Sequence, residues 1–325
     1  MAVTLPKLGS SLAVPCVQEI AKKPLTRVPQ RYVRPDQENP FFSNNNSVLQ
    51  VPVVDMQRLL SADFMDSELD KLHQACKEWG FFQLINHTVD ISLVEKVKSE
   101  IEKFFTLPIE EKKKYGQLPG DIEGFGNAFV VSEEQKLDWG DIETLEAYSG
   151  EVKNLAMKIL NLMAKALGMV ANDMNVMNYY PPCPQPEVAI GLSPHSDSVG
   201  LTILLQINEM EGLQIKKDGM WVPVKPLCNA FVVNIGDNLE IVTNGIYRSI
   251  EHRATVNSTK ERLSIATFYC PKLDGDMGPA PSLITPETPA LFRRIGVEDY
   301  FKGLFTRKLD GKAYIDVMRI DNQEE

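Results

Sequence analysis

Gly191-Leu192-Ser193-Pro194-His195-Ser196-Asp197 is the stretch from which the rest of the chain is best read. It sits inside a longer run from Asn178 to Ala266. That run opens with Asn178-Tyr179-Tyr180-Pro181-Pro182 and closes with Glu251-His252-Arg253 and Glu261-Arg262-Leu263-Ser264-Ile265-Ala266. On a strand, side chains at i and i+2 share a face, so His195 and Asp197 can reach one ion from a single rigid strand end. His252 comes 55 residues after Asp197, on a later strand, as a rolled sheet requires if it is to carry a third ligand across. Two histidines and a carboxylate have the composition of a facial triad, which holds non-haem Fe(II) on one side and leaves the other side open. His-x-Asp often occurs by chance, but the chain has only four histidines and two of them fall in this arrangement. The other two, His73 in a helical stretch and His87 after a strand, read as packing residues.

Around this centre the chain reads as short strands separated by turn signals. They are expected over Leu201–Gln206, Leu213–Lys216, Trp221–Val224, Ala230–Ile235, Glu240–Thr243, His252–Val256 and Leu263–Tyr269. Asp218-Gly219, Gly236-Asp237, Asn244-Gly245 and Asn257-Ser258 mark turns between them. Strands at such spacing suggest an all-β barrel or sandwich. Upstream the pattern is mixed. A short helix is expected over Val17–Lys23, a buried strand over Val51–Asp55, a helix over Ser67–Glu78 stopped by Gly80, and a strand over Phe81–Asn86. Amphipathic helices are expected over Ser92–Leu107 and Leu145–Leu167. Asn44-Asn45-Asn46 reads as a surface loop, and Lys112-Lys113-Lys114 as a solvated face. The methionines 157, 163, 169, 174 and 177 read as core packing. Gly116 to Trp139, with its glycines and aromatics, reads as a loop approaching a pocket. A helical tail is expected near Val297–Leu304 and Gly311–Met318.

With 325 residues, 43% of them hydrophobic and 24% charged, the chain has the make-up of a globular protein with a sizeable core. Its 34 basic and 44 acidic side chains give a net charge of −10, a poor match to a phosphate backbone, so nucleic acid is not an expected partner. The five scattered cysteines have no CxxC spacing and read as thiols in a reducing compartment. Pro15 and Glu19 interrupt the N-terminal apolar run, so a secretory signal is not expected there. No window approaches the roughly 18–20 apolar residues of a membrane span. The expectation is a cytoplasmic monomer acting on a small molecule.

Arg262 and Ser264 form a second i, i+2 pair. A guanidinium beside a hydroxyl suits a carboxylate, because arginine offers a planar, bidentate donor set. Tyr180 can add a third hydrogen bond.

The set Asn178–Tyr180, His195–Asp197, His252 and Arg262–Ser264 resembles the motifs of plant Fe(II)/2-oxoglutarate-dependent dioxygenases. The likeness runs from Val51-Pro52-Val53-Val54-Asp55 and Trp79-Gly80-Phe81-Phe82 to Arg307-Lys308-Leu309-Asp310-Gly311, nearly the whole chain. Within that family it is most similar to the senescence-related-gene-1-like group, which includes alkaloid O-demethylases. Ile122-Glu123-Gly124-Phe125-Gly126 and Leu283-Ile284-Thr285-Pro286-Glu287-Thr288-Pro289 carry that finer likeness.

The resemblance implies a mainly β fold with flanking helices: a double-stranded β-helix (jelly-roll) core over residues 176–275. An α-rich N-terminal half (1–175) would pack on it, and a helical tail (276–325) would complete one catalytic unit. It further implies that His195, Asp197 and His252 hold iron and form the catalytic centre. Arg262, Ser264 and Tyr180 would hold the far carboxylate of 2-oxoglutarate, with Asn178 supporting its metal-chelating end. O2 is the second co-substrate and ascorbate a supporting reductant. By position in the family, Phe125, Val176, Phe268 and Cys270 line the substrate cavity.

Three departures stand out. Thr88 occupies a position where the family has glycine. Trp139–Leu145 and Val170–Asn178 are both shorter than the family pattern, at places expected to border the substrate mouth. The implied activity is O- or N-demethylation or hydroxylation of an alkaloid or phenolic. The rivals are an oxidase of the same fold that does not consume 2-oxoglutarate and an inactive jelly-roll binding protein. The complete triad argues against the latter.

Overall fold

The computed structural model of the protein describes residues 11–35, 49–116, 124–127, 130–145, 155, 158, 172–308 and 310–320. Eleven strands organise it: β1 (Val53–Asp55), β2 (Phe81–Ile85), β3 (Asp141–Leu145), β4 (Asn172–Tyr180), β5 (Leu192–His195), β6 (Leu201–Gln206), β7 (Leu213–Lys217), β8 (Met220–Pro223), β9 (Phe231–Ile235), β10 (His252–Ala254) and β11 (Arg262–Cys270). Seven of them form a large sheet in the order β1-β2-β9-β6-β11-β4-β3, and four form a small one in the order β5-β10-β7-β8. This is the jelly-roll core.

The apolar runs explain how the layers stack. In β2, Phe81 and Phe82 point to opposite faces, as do Val232 and Val233 in β9. Phe81 and Val232 pack with Leu213, Ile215 and Val222 between the two sheets. Phe82 and Val233 pack on the other side with Leu72, Val94, Ile101 and Phe105 from the N-terminal helices. Strands buried on both faces read as continuous apolar stretches instead of alternating ones. The helix Met65–Gln74 widens into a π-turn (Ala75–Trp79) that ends at Gly80 with φ 61°, the left-handed stop expected there.

Several expectations change. Glu240–Thr243 is not a strand: Asp237–Val242 is a helix. Its Ile241 and Val242 favour strands by propensity, but Glu240 is held from outside by the Ser249 N–H, Lys312 and Arg319, and tertiary contacts override propensity. Lys112 is not part of a solvated face. It is fully buried, donates to Gln18 Oε1 and lies over the Phe125 ring, while Lys113 and Lys114 remain exposed. Leu145 closes β3 instead of opening a helix. Of the remaining Leu145–Leu167 pattern only Leu155 and Lys158, both helical, are described. Asn44-Asn45-Asn46 also lies outside the described residues, and of Met157, Met163, Met169, Met174 and Met177 only the last has a described side chain, fully buried in the core. Thr88 adopts φ 65°, the backbone state glycine prefers, so the turn keeps a glycine-like shape without glycine. The tail helix runs over Val297–Leu304 as expected, and a shorter one follows at Ala313–Asp316.

Candidate active site

β5 and β10 lie antiparallel with His195 directly opposite His252, which sets the two imidazoles side by side at 4.3 Å between ring centroids. Asp197 sits in the turn just past β5, beyond the strand on which its spacing suggested it would lie. Its Oδ1 is 3.5 Å from both His195 Nε2 and His252 Nε2. All three side chains are buried, and one ligand atom from each lies within 4.8 Å of the others.

The ring orientations suit a metal. His195 Nδ1 is 2.7 Å from Ser193 O and His252 Nδ1 is 3.1 Å from Ile250 O. A carbonyl oxygen only accepts, so each Nδ1 carries the proton and each Nε2 presents its lone pair to the centre. This is the orienting hydrogen bond that metal-ligating histidines habitually make. Burial opposes charge at all three groups. At His252 it prevails over the Asp197 charge and draws the pKa down to about 4. At His195 burial is outweighed by the hydrogen bond and charge of Asp197, and the pKa is raised. At Asp197 burial is outweighed by the two histidines, which hold its carboxyl well below the usual carboxylate range. A divalent cation would supply the positive charge this carboxylate needs while both imidazoles stay neutral. The residues therefore fit Fe(II).

A second polar group forms where β11 meets β4 and β6. Arg262 pairs with Tyr180, and Ser264 pairs with Asn178 on one side and Gln206 on the other. Arg262 is 2% exposed; its Nη1 donates to Ser264 Oγ at 3.2 Å and its Nη2 to Gln206 Oε1 at 3.4 Å. The Tyr180 ring lies 5.4 Å from the guanidinium carbon. Burial lowers the Arg262 pKa, and Tyr180 counters it. Arg262 Nε is buried with no hydrogen-bond partner among the described residues. A buried guanidinium that is not neutralised calls for an anion.

A cavity of about 970 Å³ opens on this centre. His195, Asp197, Asn178 and Tyr180 line its polar end, and Ile142, Val176, Ile190, Leu192, Phe268, Phe301, Leu304 and Phe305 line the apolar part. Asn127, Val130 and Leu137 bring the 116–139 segment to the wall, as its composition suggested. Val176 and Phe268 thus face the cavity. Phe125 and Cys270 do not line it. Phe125 packs on Phe104 in the core beneath the large sheet, and Cys270 packs among Tyr300, Phe301 and Ile241. Cys270 shares a strand face with Phe268 but lies at the far end of β11, past the cavity.

Sequence reasoning missed Gln206 and two residues that touch Asp197. Thr202 Oγ1 donates to Asp197 Oδ2 at 2.6 Å, and Asn234 Nδ2 donates to the same oxygen at 2.8 Å. The available signal was a polar residue inside an apolar run, Thr202 in Leu201-Thr202-Ile203-Leu204-Leu205 and Asn234 in Phe231-Val232-Val233-Asn234-Ile235, with Gln206 at the polar end of β6.

Comparison with known proteins agrees with this geometry. Residues 51–163 match the N-terminal region of the non-haem dioxygenases of morphine synthesis, and residues 171–271 match the 2OG-Fe(II) oxygenase superfamily. Protein SRG1 of Arabidopsis thaliana is 54% identical over 96% of this chain and 98% of its own. Oxoglutarate-dependent flavonoid 7-O-demethylase 1 of Ocimum basilicum is 52% identical over 97% of this chain and 93% of its own. Thebaine 6-O-demethylase of Papaver somniferum is 52% identical over 97% and 99%. The alignment with SRG1 spans 349 positions although this chain has 325 residues, so it lacks residues that this relative has. The crystal structure of JOX2 in complex with 2OG, Fe and JA superposes with a TM-score of 0.84 at 31% identity, covering 94% of this chain and 98% of that one. No helix among the described residues is long and apolar enough to cross a membrane.

Proposed function

The chain belongs to the 2OG-Fe(II) oxygenase superfamily, and on that premise we propose that it removes a methyl group from an ether oxygen of a polycyclic alkaloid or flavonoid. It is an Fe(II)- and 2-oxoglutarate-dependent dioxygenase of plant specialised metabolism. The observation that carries the finer reading is the mainly apolar cavity of about 970 Å³ opening directly on His195 and Asp197. That is room for a multi-ring substrate, since drug-sized ligands occupy cavities of roughly 300–1,000 Å³. Two relatives, each 52% identical to this chain over nearly its whole length, are named as O-demethylases, one of a flavonoid and one of thebaine.

Each residue has a separable task in this reading. His195, Asp197 and His252 hold the iron. Arg262, Ser264 and Tyr180 bind the far carboxylate of 2-oxoglutarate, and Asn178 supports its near end. Phe268, Val176 and the Phe301–Phe305 face hold the substrate's rings and exclude water from the centre. Iron supplies the means of activating O2. In the overall reaction methyl ether, 2-oxoglutarate and O2 become hydroxyl compound, formaldehyde, succinate and CO2. The chain is read as one catalytic unit and a cytoplasmic monomer; its net charge of −10 speaks against nucleic-acid partners, and its five free cysteines suit a reducing compartment.

The test is to supply iron-loaded protein with 2-oxoglutarate, ascorbate, air and a panel of methoxylated alkaloids and flavonoids. Formaldehyde and succinate should appear in equal amounts with at least one of them. Succinate without formaldehyde would replace demethylation by hydroxylation. An iron-loaded protein that consumes no 2-oxoglutarate with any of the panel would overturn the reading.

A further inference from the structure

The two oxygens of Asp197 are used differently. Oδ1 faces both imidazole nitrogens at 3.5 Å. Oδ2 faces away and accepts two hydrogen bonds, from Thr202 at 2.6 Å and Asn234 at 2.8 Å. A carboxylate oxygen offers about two lone-pair sites, so two donors saturate Oδ2. Only Oδ1 is left to act as a metal ligand.

The two donors are built into the sheet. Thr202 on β6 and Asn234 on β9 are direct register partners across the strand pair, 2% and 3% exposed. Neither lines the cavity, so neither is placed to touch substrate. The turn that carries Asp197 is itself tied down, with Asp197 O accepting the Asp237 N–H at 2.7 Å. Both the side chain and the backbone of this residue are fixed from outside the triad.

We propose that Thr202 and Asn234 are positioning residues that restrict Asp197 to binding the metal through one oxygen. The restriction matters because a carboxylate that bound through both oxygens would take a position needed by a co-substrate. With one-oxygen binding, the open side of the triad would stay free for a chelating 2-oxo acid and O2. Each donor also fixes the direction of the ligand oxygen, as hydrogen-bond partners of metal ligands do. This inference rests on the iron-site reading above, and the experiment separates the two.

Thr202→Val, Thr202→Ser and Asn234→Leu would be compared with the natural protein and with His252→Ala. Fe(II) affinity is measured by anaerobic titration. Chelation of 2-oxoglutarate is followed by the visible charge-transfer absorption that a bound 2-oxo acid gives with Fe(II). Melting curves verify folding, and Thr202→Val, nearly isosteric and well suited to a strand, keeps the test open if Asn234→Leu fails to fold. Thr202→Val should weaken Fe(II) binding by about 10- to 100-fold, the usual cost of losing such a partner. It should also raise the 2-oxoglutarate concentration needed for the absorption, and Thr202→Ser should restore both. If folded Thr202→Val and Asn234→Leu match the natural protein in both measurements, or lose only thermal stability, the positioning role is overturned. If His252→Ala keeps its iron, the triad itself is wrong.

Discussion

Arg262 can lie where it does because residue 212 has no side chain. A Cβ at Gly212 would sit 2.7 Å from Arg262 Cδ, 2.9 Å from Thr255 O and 3.2 Å from Arg262 Nε. Gly212→Ala should therefore push the guanidinium off its line towards the 2-oxoglutarate carboxylate while leaving the triad untouched. Losing one charge-assisted hydrogen bond costs about 1.5–3 kcal/mol, so the KM for 2-oxoglutarate should rise roughly 10- to 100-fold. Fe(II) affinity should stay as it is. Succinate release against 2-oxoglutarate concentration tests this, and an unchanged KM would show that Arg262 is not held by this contact. At this scale the sequence was informative wherever a ligand set falls on one strand. Arg262 and Ser264 follow the two-residue side-chain period, and His195 and Asp197 were found by the same rule although Asp197 lies past the strand end. Thr202, Asn234 and Gln206 stayed hidden because their roles depend on which strands become neighbours, and no local pattern records that.

Among the elements, the turn between β2 and the helix Ile91–Thr106 shows how a buried histidine can serve structure alone. His87 is 6% exposed, packs on Phe231 at 4.4 Å between ring centroids, and accepts the Val89 N–H through Nδ1 at 3.3 Å. Acceptance by Nδ1 requires the neutral ring, and burial lowers the pKa from 6.5 accordingly. A folded value below the unfolded one means that the unfolded chain binds more protons in acid. The stability that neutral His87 contributes is thus complete above pH 6.5 and is lost as the pH falls through its folded value. The melting temperature should drop between pH 7 and pH 5, and His87→Gln should make that drop shallower. One proton accounts for at most about 1.4 kcal/mol per pH unit. Identical slopes for the two proteins would remove His87 from the account. Elements with strong periodicity, such as Ile91–Thr106 and β6, were legible, whereas Asp237–Val242 was not. Its last residues, Ile241 and Val242, and the Thr243 that follows are β-branched and read as a strand, whereas Glu240 is gripped from three sides and the segment is helical.

For the whole molecule, that same Glu240 joins the C-terminal segment to the catalytic centre. The carboxylate is 2% exposed and accepts Lys312 Nζ at 2.7 Å, Arg319 Nη2 at 3.2 Å and the Ser249 N–H at 2.8 Å. Its helix begins at Asp237, whose N–H holds the backbone of Asp197. Just before Lys312, Gly311 pairs with the strand end that bears His195: its N–H donates to Pro194 O and its carbonyl accepts the Ser196 N–H. Further upstream, Phe301, Leu304 and Phe305 form one wall of the cavity. One buried acid therefore anchors a segment that shapes the substrate site and braces the metal strand. Glu240→Gln keeps the shape but gives up the charge, weakening two charge-assisted hydrogen bonds worth about 1.5–3 kcal/mol each. The tail should then open more often than the rest of the fold, since local opening follows local stability. Hydrogen exchange should accelerate at the Ser196 and Gly311 amides and along Val297–Leu304, while β6, β9 and β11 keep their protection. Substrate KM should rise because the Phe301–Phe305 wall loosens, and 2-oxoglutarate KM should hold because Arg262 and Ser264 belong to the sheet. Uniform acceleration of exchange across all strands would instead mean that Glu240 supports the fold as a whole, with no separable tail.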